Sequence, residues 1–170
     1  TGLWILQRLM SEWKTRGEEQ SYDTLIPQAA EATIASIIPV DDALFMNPVN
    51  MENALMDYCR QHDLPVPKNK AEMVKCVLQS LAFKYKQAVE KLNRCLPSPI
   101  RQLNIIGGGS QNKLLNQLTA DALSIPVYAG PVEATAIGNI LTQAMAKGEI
   151  SDLHELREIV RHSVTPQVYH

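Results

Sequence analysis

The residues best placed to do chemistry are three consecutive glycines. Gly107, Gly108 and Gly109 follow the apolar run that holds Leu103, Ile105 and Ile106, and precede Ser110, Gln111 and Asn112. A glycine tract between a strand and a helix lets backbone come close to a ligand with its N–H groups facing outward. The helix N-terminus adds about half a positive charge there, which suits phosphate. A tight strand-to-helix turn asks for glycine on steric grounds alone, so the residues leave a nucleotide or phosphate loop and a structural turn both open. The tract is not a Walker loop, because no Gly-Lys-Ser/Thr follows, and its spacing is not that of a dinucleotide fingerprint.

A second strand-to-helix loop runs from Ala129 through Gly130, Pro131, Val132 and Glu133 to Thr135. Glu133 falls in the first turn of the following helix, where charge capping is favoured over catalysis. Gly138, inside that helix, costs about 1 kcal/mol relative to alanine, which the close approach of another helix or of a ligand would explain.

Elsewhere chemistry-bearing residues are scattered. Asp41 and Asp42 are adjacent and point apart, whereas paired acid–base work needs carboxylates that converge. His62, His154, His162 and His170 lie in polar stretches and read as surface residues. Cys59, Cys76 and Cys95 are an odd number without a CxxC pair, which favours reduced or buried thiols over a metal site. Trp4 and Trp13 read as packing residues of the first helix. There is no Ser-His-Asp order and no nucleophile elbow.

The elements that must position these groups follow from periodicity. Leu3, Leu6, Met10 and Trp13 recur at helical spacing and predict a helix over 2–16, closed by Gly17. Ser21 caps a second helix. Ile37–Val40 is a short apolar run broken by Pro39. Asn50 caps a third helix, and a fourth and longest runs from Lys70 to Leu92. The pattern then changes to a strand at Leu103–Ile106, the glycine tract, and a helix beginning after Ser110. A strand at Ile125–Ala129, a helix over Val132–Lys147 and a last helix capped by Ser151 complete the chain. Residues 1–99 are therefore mostly helical, and residues 100–170 form a strand–loop–helix–strand–helix core, an α/β arrangement.

The 170 residues are 45% hydrophobic and 20% charged, enough to bury a sizeable core. The net charge of −2 gives no electrostatic reason to bind nucleic acid or an anionic membrane. No apolar run is long enough to span a membrane and no signal-peptide pattern is present, so a cytoplasmic protein is expected. Thr1 opens directly on apolar periodicity, which reads as the start of a piece of something longer.

At the glycine tract the sequence resembles a known family. Gln102–Asn112 (QLNIIGGGSQN), Lys113–Asp121 (KLLNQLTAD) and Val127–Ile140 (VYAGPVEATAIGNI) look like the C-terminal domain of the FGGY carbohydrate kinases. Gly2–Arg8 (GLWILQR) and the Asn47-Pro48 region look like the same family, so the resemblance spans nearly the whole chain. Within it, the three segments are most like those of members that phosphorylate L-rhamnulose at O1 with ATP. Glycerol-phosphorylating members typically carry a DGG-type loop.

The resemblance implies a helix-rich α/β part of an actin/hexokinase-like, ribonuclease H-like ATPase domain, with ATP and sugar meeting in a cleft between two domains. It implies that Gly107, Gly108 and Gly109 lie against the adenosine and phosphate part of ATP, Gly108 foremost. Asn112 would border the adenine pocket and Gln7 would match an ATP-contacting position. The catalytic aspartate, the sugar-binding domain and the first phosphate loop are expected upstream of Thr1. No residue here is expected to ligate metal, and Mg2+ would act with ATP in the complete enzyme. The chain alone is expected to be inactive. Kinases of xylulose, fuculose or gluconate, and a nucleotide-binding or scaffolding module without chemistry, remain the alternatives.

Overall fold

A computed structural model describes residues 3–170, so the readings placed on Thr1 and Gly2 lie outside the described residues. The chain divides into two compact units, the first ending at Pro99 and the second running from Ile100 to His170.

The first unit is built from four helices: α1 (Trp4–Thr15), α2 (Tyr22–Glu31), α3 (Met51–Gln61) and α4 (Lys70–Asn93). Their starts follow the cap chemistry of the sequence. Ser21, Asn50 and Asn69 accept from the backbone N–H groups of Thr24, Asn53 and Glu72, each satisfying a donor that the first helical turn leaves orphaned. Gly17 ends α1 with a φ of +75°, which a side chain would resist. The helix α4 packs against α2 and α1, and α1 packs against α3. Leu6, Leu9, Trp13, Leu25, Met51, Leu55, Val74, Val77 and Leu78 are wholly buried between them. Each contributes roughly 1.5–3 kcal/mol of transfer free energy. Trp4, expected in packing, is 46% exposed, because it leads the helix one position away from the buried Ile5-Leu6 edge.

Polar contacts fix how α1 meets α3. Both oxygens of Glu12 accept from the Met51 N–H, at 2.9 and 3.0 Å, so a carboxylate from one helix sits on the positive end of another. Trp13 Nε1 donates to Glu52 at 3.2 Å, and Arg16 pairs with the same carboxylate. The run Ile37–Val40 forms no strand. Its neighbouring backbone is satisfied by α4 side chains instead: the Ser36 carbonyl accepts from Gln79 at 2.8 Å, and the Ile38 N–H donates to Ser80 Oγ at 2.9 Å. Asp42 caps the short 3-10 turn Ala43–Phe45 through the Leu44 N–H.

The second unit carries a three-stranded sheet in the order β1 (Leu103–Ile105), β2 (Val127–Ala129), β3 (Gln167–Tyr169). β1 and β2 are parallel, with Leu103 opposite Val127 and Ile105 opposite Ala129; β3 is antiparallel to β2. A parallel pair needs a crossover, supplied by α5 (Lys113–Leu123). Val127, Ala129, Ala120 and Tyr169 form the core, with Leu103 and Ile105 packed against it. Helices α6 (Ala134–Ala146) and α7 (Leu153–Ser163) pack on each other. Gly148 terminates α6 with φ +79°, its N–H and that of Glu149 bonding back to Met145 and Ala144.

Several local expectations shift. β3 is not anticipated by periodicity, since three residues after Pro166 show no alternation to read. The cap of α7 is Asp152 rather than Ser151, while the Ser151 N–H and hydroxyl both donate to Glu155 and hold its carboxyl below the usual range. Glu133 stands at the start of α6 but makes no side-chain cap. Beyond its own helix backbone and chain neighbours, no atom lies within 4 Å of where a Cβ on Gly138 would stand, so no neighbouring helix makes the close approach that would explain this glycine.

Cys59 and Cys76 are fully buried, and the Cys76 thiol donates to the Ser36 carbonyl at 3.3 Å. Burial pushes Cys76 from an ordinary 9.0 up to about 12, and Cys59 also upward. Both therefore stay protonated in the native state while their unfolded counterparts ionise, so their contribution to stability is lost as pH rises from about 9 towards 12. A thiol reagent at pH 8 should label exposed Cys95 quickly and leave the other two unmodified until the chain unfolds, as counted by intact mass. Replacement Glu12→Ala should lower stability by about 1–2 kcal/mol in urea unfolding, because the α3 N-terminus loses its charged partner.

Candidate functional site

The glycine tract leaves the carboxyl end of β1, and the Gly130 loop leaves the carboxyl end of β2. Because the strands are parallel, both loops emerge at one edge of the sheet, the edge at which open α/β sheets receive ligands. Two backbone hydrogen bonds tie them together: Gly130 N–H to the Ile105 carbonyl at 2.8 Å, and Gly107 N–H to the Pro131 carbonyl at 3.0 Å. The Gly130–Pro131 peptide is cis.

Residues Gly107–Gln111 form one 3-10 turn, so the helix expected directly after Ser110 starts later, at Lys113. Its cap is Asn112, whose Oδ1 accepts from the Leu115 N–H at 3.0 Å. The turn is held from inside. Ser110 Oγ donates to the Gly107 carbonyl at 2.7 Å, and Asn116 Nδ2 donates to the Ser110 carbonyl at 2.8 Å. Neither Ser110 nor Asn116 stands out in the sequence as a site residue. The available signal is a polar Asn116 on a helix face whose neighbours Leu115, Thr119 and Ala120 are all buried.

The three glycines differ in what they require. Gly107 has φ +74°, where a side chain is strained. Gly108 has no such backbone demand, is exposed, and a Cβ on it would meet nothing within 4 Å. A Cβ on Gly109 would touch Ile105 Cγ2 at an ordinary 3.9 Å. The fold alone thus explains a glycine at 107 and not at 108. Asn112 is only 8% exposed, and its Nδ2 is buried without a partner, as is Asn116 Oδ1. Buried polar atoms of this kind are rare and ask for an explanation.

Gln7 lies in the first unit, on the exposed side of α1, while its neighbours Ile5, Leu6 and Leu9 are buried. Gly107–Gly109 and Asn112 belong together in the second unit. Asp41 and Asp42 hold structural tasks. Lys84 beside Asp41 keeps that carboxyl below its usual range, and Asp42 caps a turn. The Lys84–Asp41 pair rims a cavity of about 250 Å³ whose lining includes Ile38, Tyr58 and Phe83. That is smaller than the roughly 300–1,000 Å³ of ligand pockets. His62 stacks on Tyr58, and His162 bonds the Glu158 carbonyl. Among the described residues no group of three or more His, Cys, Asp or Glu is placed to hold a metal ion. No described helix is long and apolar enough to cross a membrane.

Residues 1–147 match the C-terminal domain of the FGGY family of carbohydrate kinases. The chain is 44% identical to a rhamnulokinase of Bacteroides thetaiotaomicron over 99% of its own length and 34% of that protein. It is 47% identical to a rhamnulokinase of Pectobacterium carotovorum over 95% of its length and 32% of that protein, and 41% identical to one of Yersinia pestis. The chain thus spans about a third of the length of these relatives. A glycine tract between parallel strands, in a helix-rich α/β unit, accords with the ribonuclease H-like fold of that domain. The chain belongs to the FGGY family of carbohydrate kinases, matching its C-terminal domain.

Proposed function

We propose that this chain is the nucleotide-facing C-terminal part of a cytoplasmic rhamnulokinase, which transfers the γ-phosphoryl group of ATP to O1 of L-rhamnulose. The observation that carries the reading is Gly108. A glycine that neither backbone conformation nor any neighbouring atom demands, exposed at the carboxyl edge of two parallel strands, leaves room for a ligand against the backbone. The substrate follows the name of the relatives, which match along almost the whole of this chain.

The residues present fit the adenosine part of ATP. Asn112, nine-tenths buried, keeps an unpartnered Nδ2 donor next to the tract, suited to an acceptor on a purine edge. Gly107 and Gly109 complete the open backbone surface of the second unit; Gln7, exposed on α1 of the first unit, is proposed as an ATP-contacting position from the family resemblance alone. When bound, ATP with Mg2+ supplies the phosphoryl group and its charge neutralisation. The role of this chain is to bind and orient the nucleotide, so that phosphoryl transfer becomes a matter of alignment. On this reading the aspartate that accepts the sugar hydroxyl proton, and the sugar-binding domain, are supplied by other parts of the complete enzyme.

In the full-length protein, Gly108→Ala should raise the KM for ATP by about tenfold or more while stability stays within about 0.5 kcal/mol. Gly107→Ala should instead destabilise by about 1–2 kcal/mol, because its φ is left-handed. Equal effects of the two on stability, with no change in ATP affinity, would count against a nucleotide at this loop. A coupled assay with ATP should favour L-rhamnulose over xylulose, fuculose and gluconate and yield the 1-phosphate. Faster turnover of any of the other three would overturn the substrate.

A further inference from the structure

We infer that Asn116 is the positioning residue of the glycine tract, its buried carboxamide holding Gly107–Gln111 in the shape that receives a nucleotide. The inference rests on the nucleotide reading above and assigns a role to a residue that touches no ligand.

Asn116 lies one helical turn beyond the Asn112 cap and is 0% exposed. Its Nδ2 donates to the Ser110 carbonyl at 2.8 Å, and the Ser110 hydroxyl donates to the Gly107 carbonyl at 2.7 Å. Two hydrogen bonds in series therefore join the interior of α5 to the first residue of the tract. From the other side, the Gly107 N–H is fixed to the Pro131 carbonyl. The turn is thus gripped at both ends, and Gly108, between them, is left facing out.

The same side chain is a poor choice for packing. Its Oδ1 is buried without a partner, and the helix positions around it hold buried Leu115, Thr119 and Ala120. An unpaired buried acceptor bears its full desolvation cost, against which the fold gains a single neutral hydrogen bond. What the carboxamide does achieve is to immobilise a carbonyl of a glycine-rich turn. Consecutive glycines lose more freedom on ordering than any other residues, and a loop ordered in advance spares ligand binding that entropy.

The test compares wild type, Asn116→Ala and Asn116→Asp in the full-length protein. Without nucleotide, hydrogen exchange at the amides of Gly107–Gln111 should quicken by about tenfold in both variants, while β1, β2 and the middle of α5 keep their protection. In steady-state kinetics the KM for ATP should rise by about tenfold, with kcat and the sugar KM within about twofold. The isosteric Asn116→Asp cannot donate to Ser110 while ionised, but a buried carboxyl is displaced upward and donates once protonated. Its ATP KM alone should therefore fall back towards wild type as pH is lowered, whereas that of Asn116→Ala should not.

Unchanged exchange in the tract, or an ATP KM like wild type, overturns the inference. So does a joint fall of kcat, sugar affinity and melting temperature, the mark of a merely structural residue. A wild-type protein without nucleotide affinity would overturn the reading beneath it, and the exchange measurement, which needs no nucleotide, separates that failure from this one.

Discussion

The parallel pairing of β1 with β2 is the constraint on which the site depends. Three residue pairs of register, Leu103 to Ile105 against Val127 to Ala129, bring two loops far apart in sequence out at one edge. The Gly107 N–H and the Pro131 carbonyl then close that edge. Remove the register and the tract is a flexible run of glycines; keep it, and Gly108 is presented on a turn whose ends are both anchored. The crossover α5 serves the same end twice, completing the parallel pair and supplying Asn112 and Asn116 beneath the turn.

The helical unit solves a different problem. Its core is continuous along α4, and its polar groups are spent on internal joints. Glu12 caps a helix other than its own, Glu52 gathers Trp13 and Arg16, and the side chains of Gln79 and Ser80 stand in for a neighbouring strand along residues 36–38. Acidic residues that might be read as catalytic are committed in this way: Asp41 to Lys84, Asp42 to a turn. A carboxylate already satisfied by protein donors is poorly placed to accept a proton from a substrate hydroxyl.

Much of the architecture was legible from local rules. Ser21 and Asn50 cap helices because a short acceptor before an apolar repeat has one efficient partner, the third backbone N–H. Gly17 and Gly148 end helices because only glycine adopts their φ cheaply. Local rules failed where two acceptors competed for one job. At α7, Ser151 and Asp152 are both cap residues, and Glu155 decides between them by taking Ser151 as its own donor. At the glycine tract, Ser110 was the nearer candidate to begin α5, but its hydroxyl is engaged with Gly107 and Asn112 takes the cap. The strand β3 was illegible because its partner, β2, lies some forty residues away in sequence and three residues carry no period.

By itself the sequence determined the helices, the caps of α2 and α3, the glycine tract and the family, since each rests on residue types within a few positions or on long matched segments. Only the tertiary structure decided which glycine the fold needs and which it leaves free. That depends on φ and on the space around an absent Cβ, as at Gly107 and Gly108. It also decided that Asn116 lies beneath the tract with one amide atom used and the other stranded, a fact set by the packing of α5 on the sheet and by nothing in its neighbours along the chain.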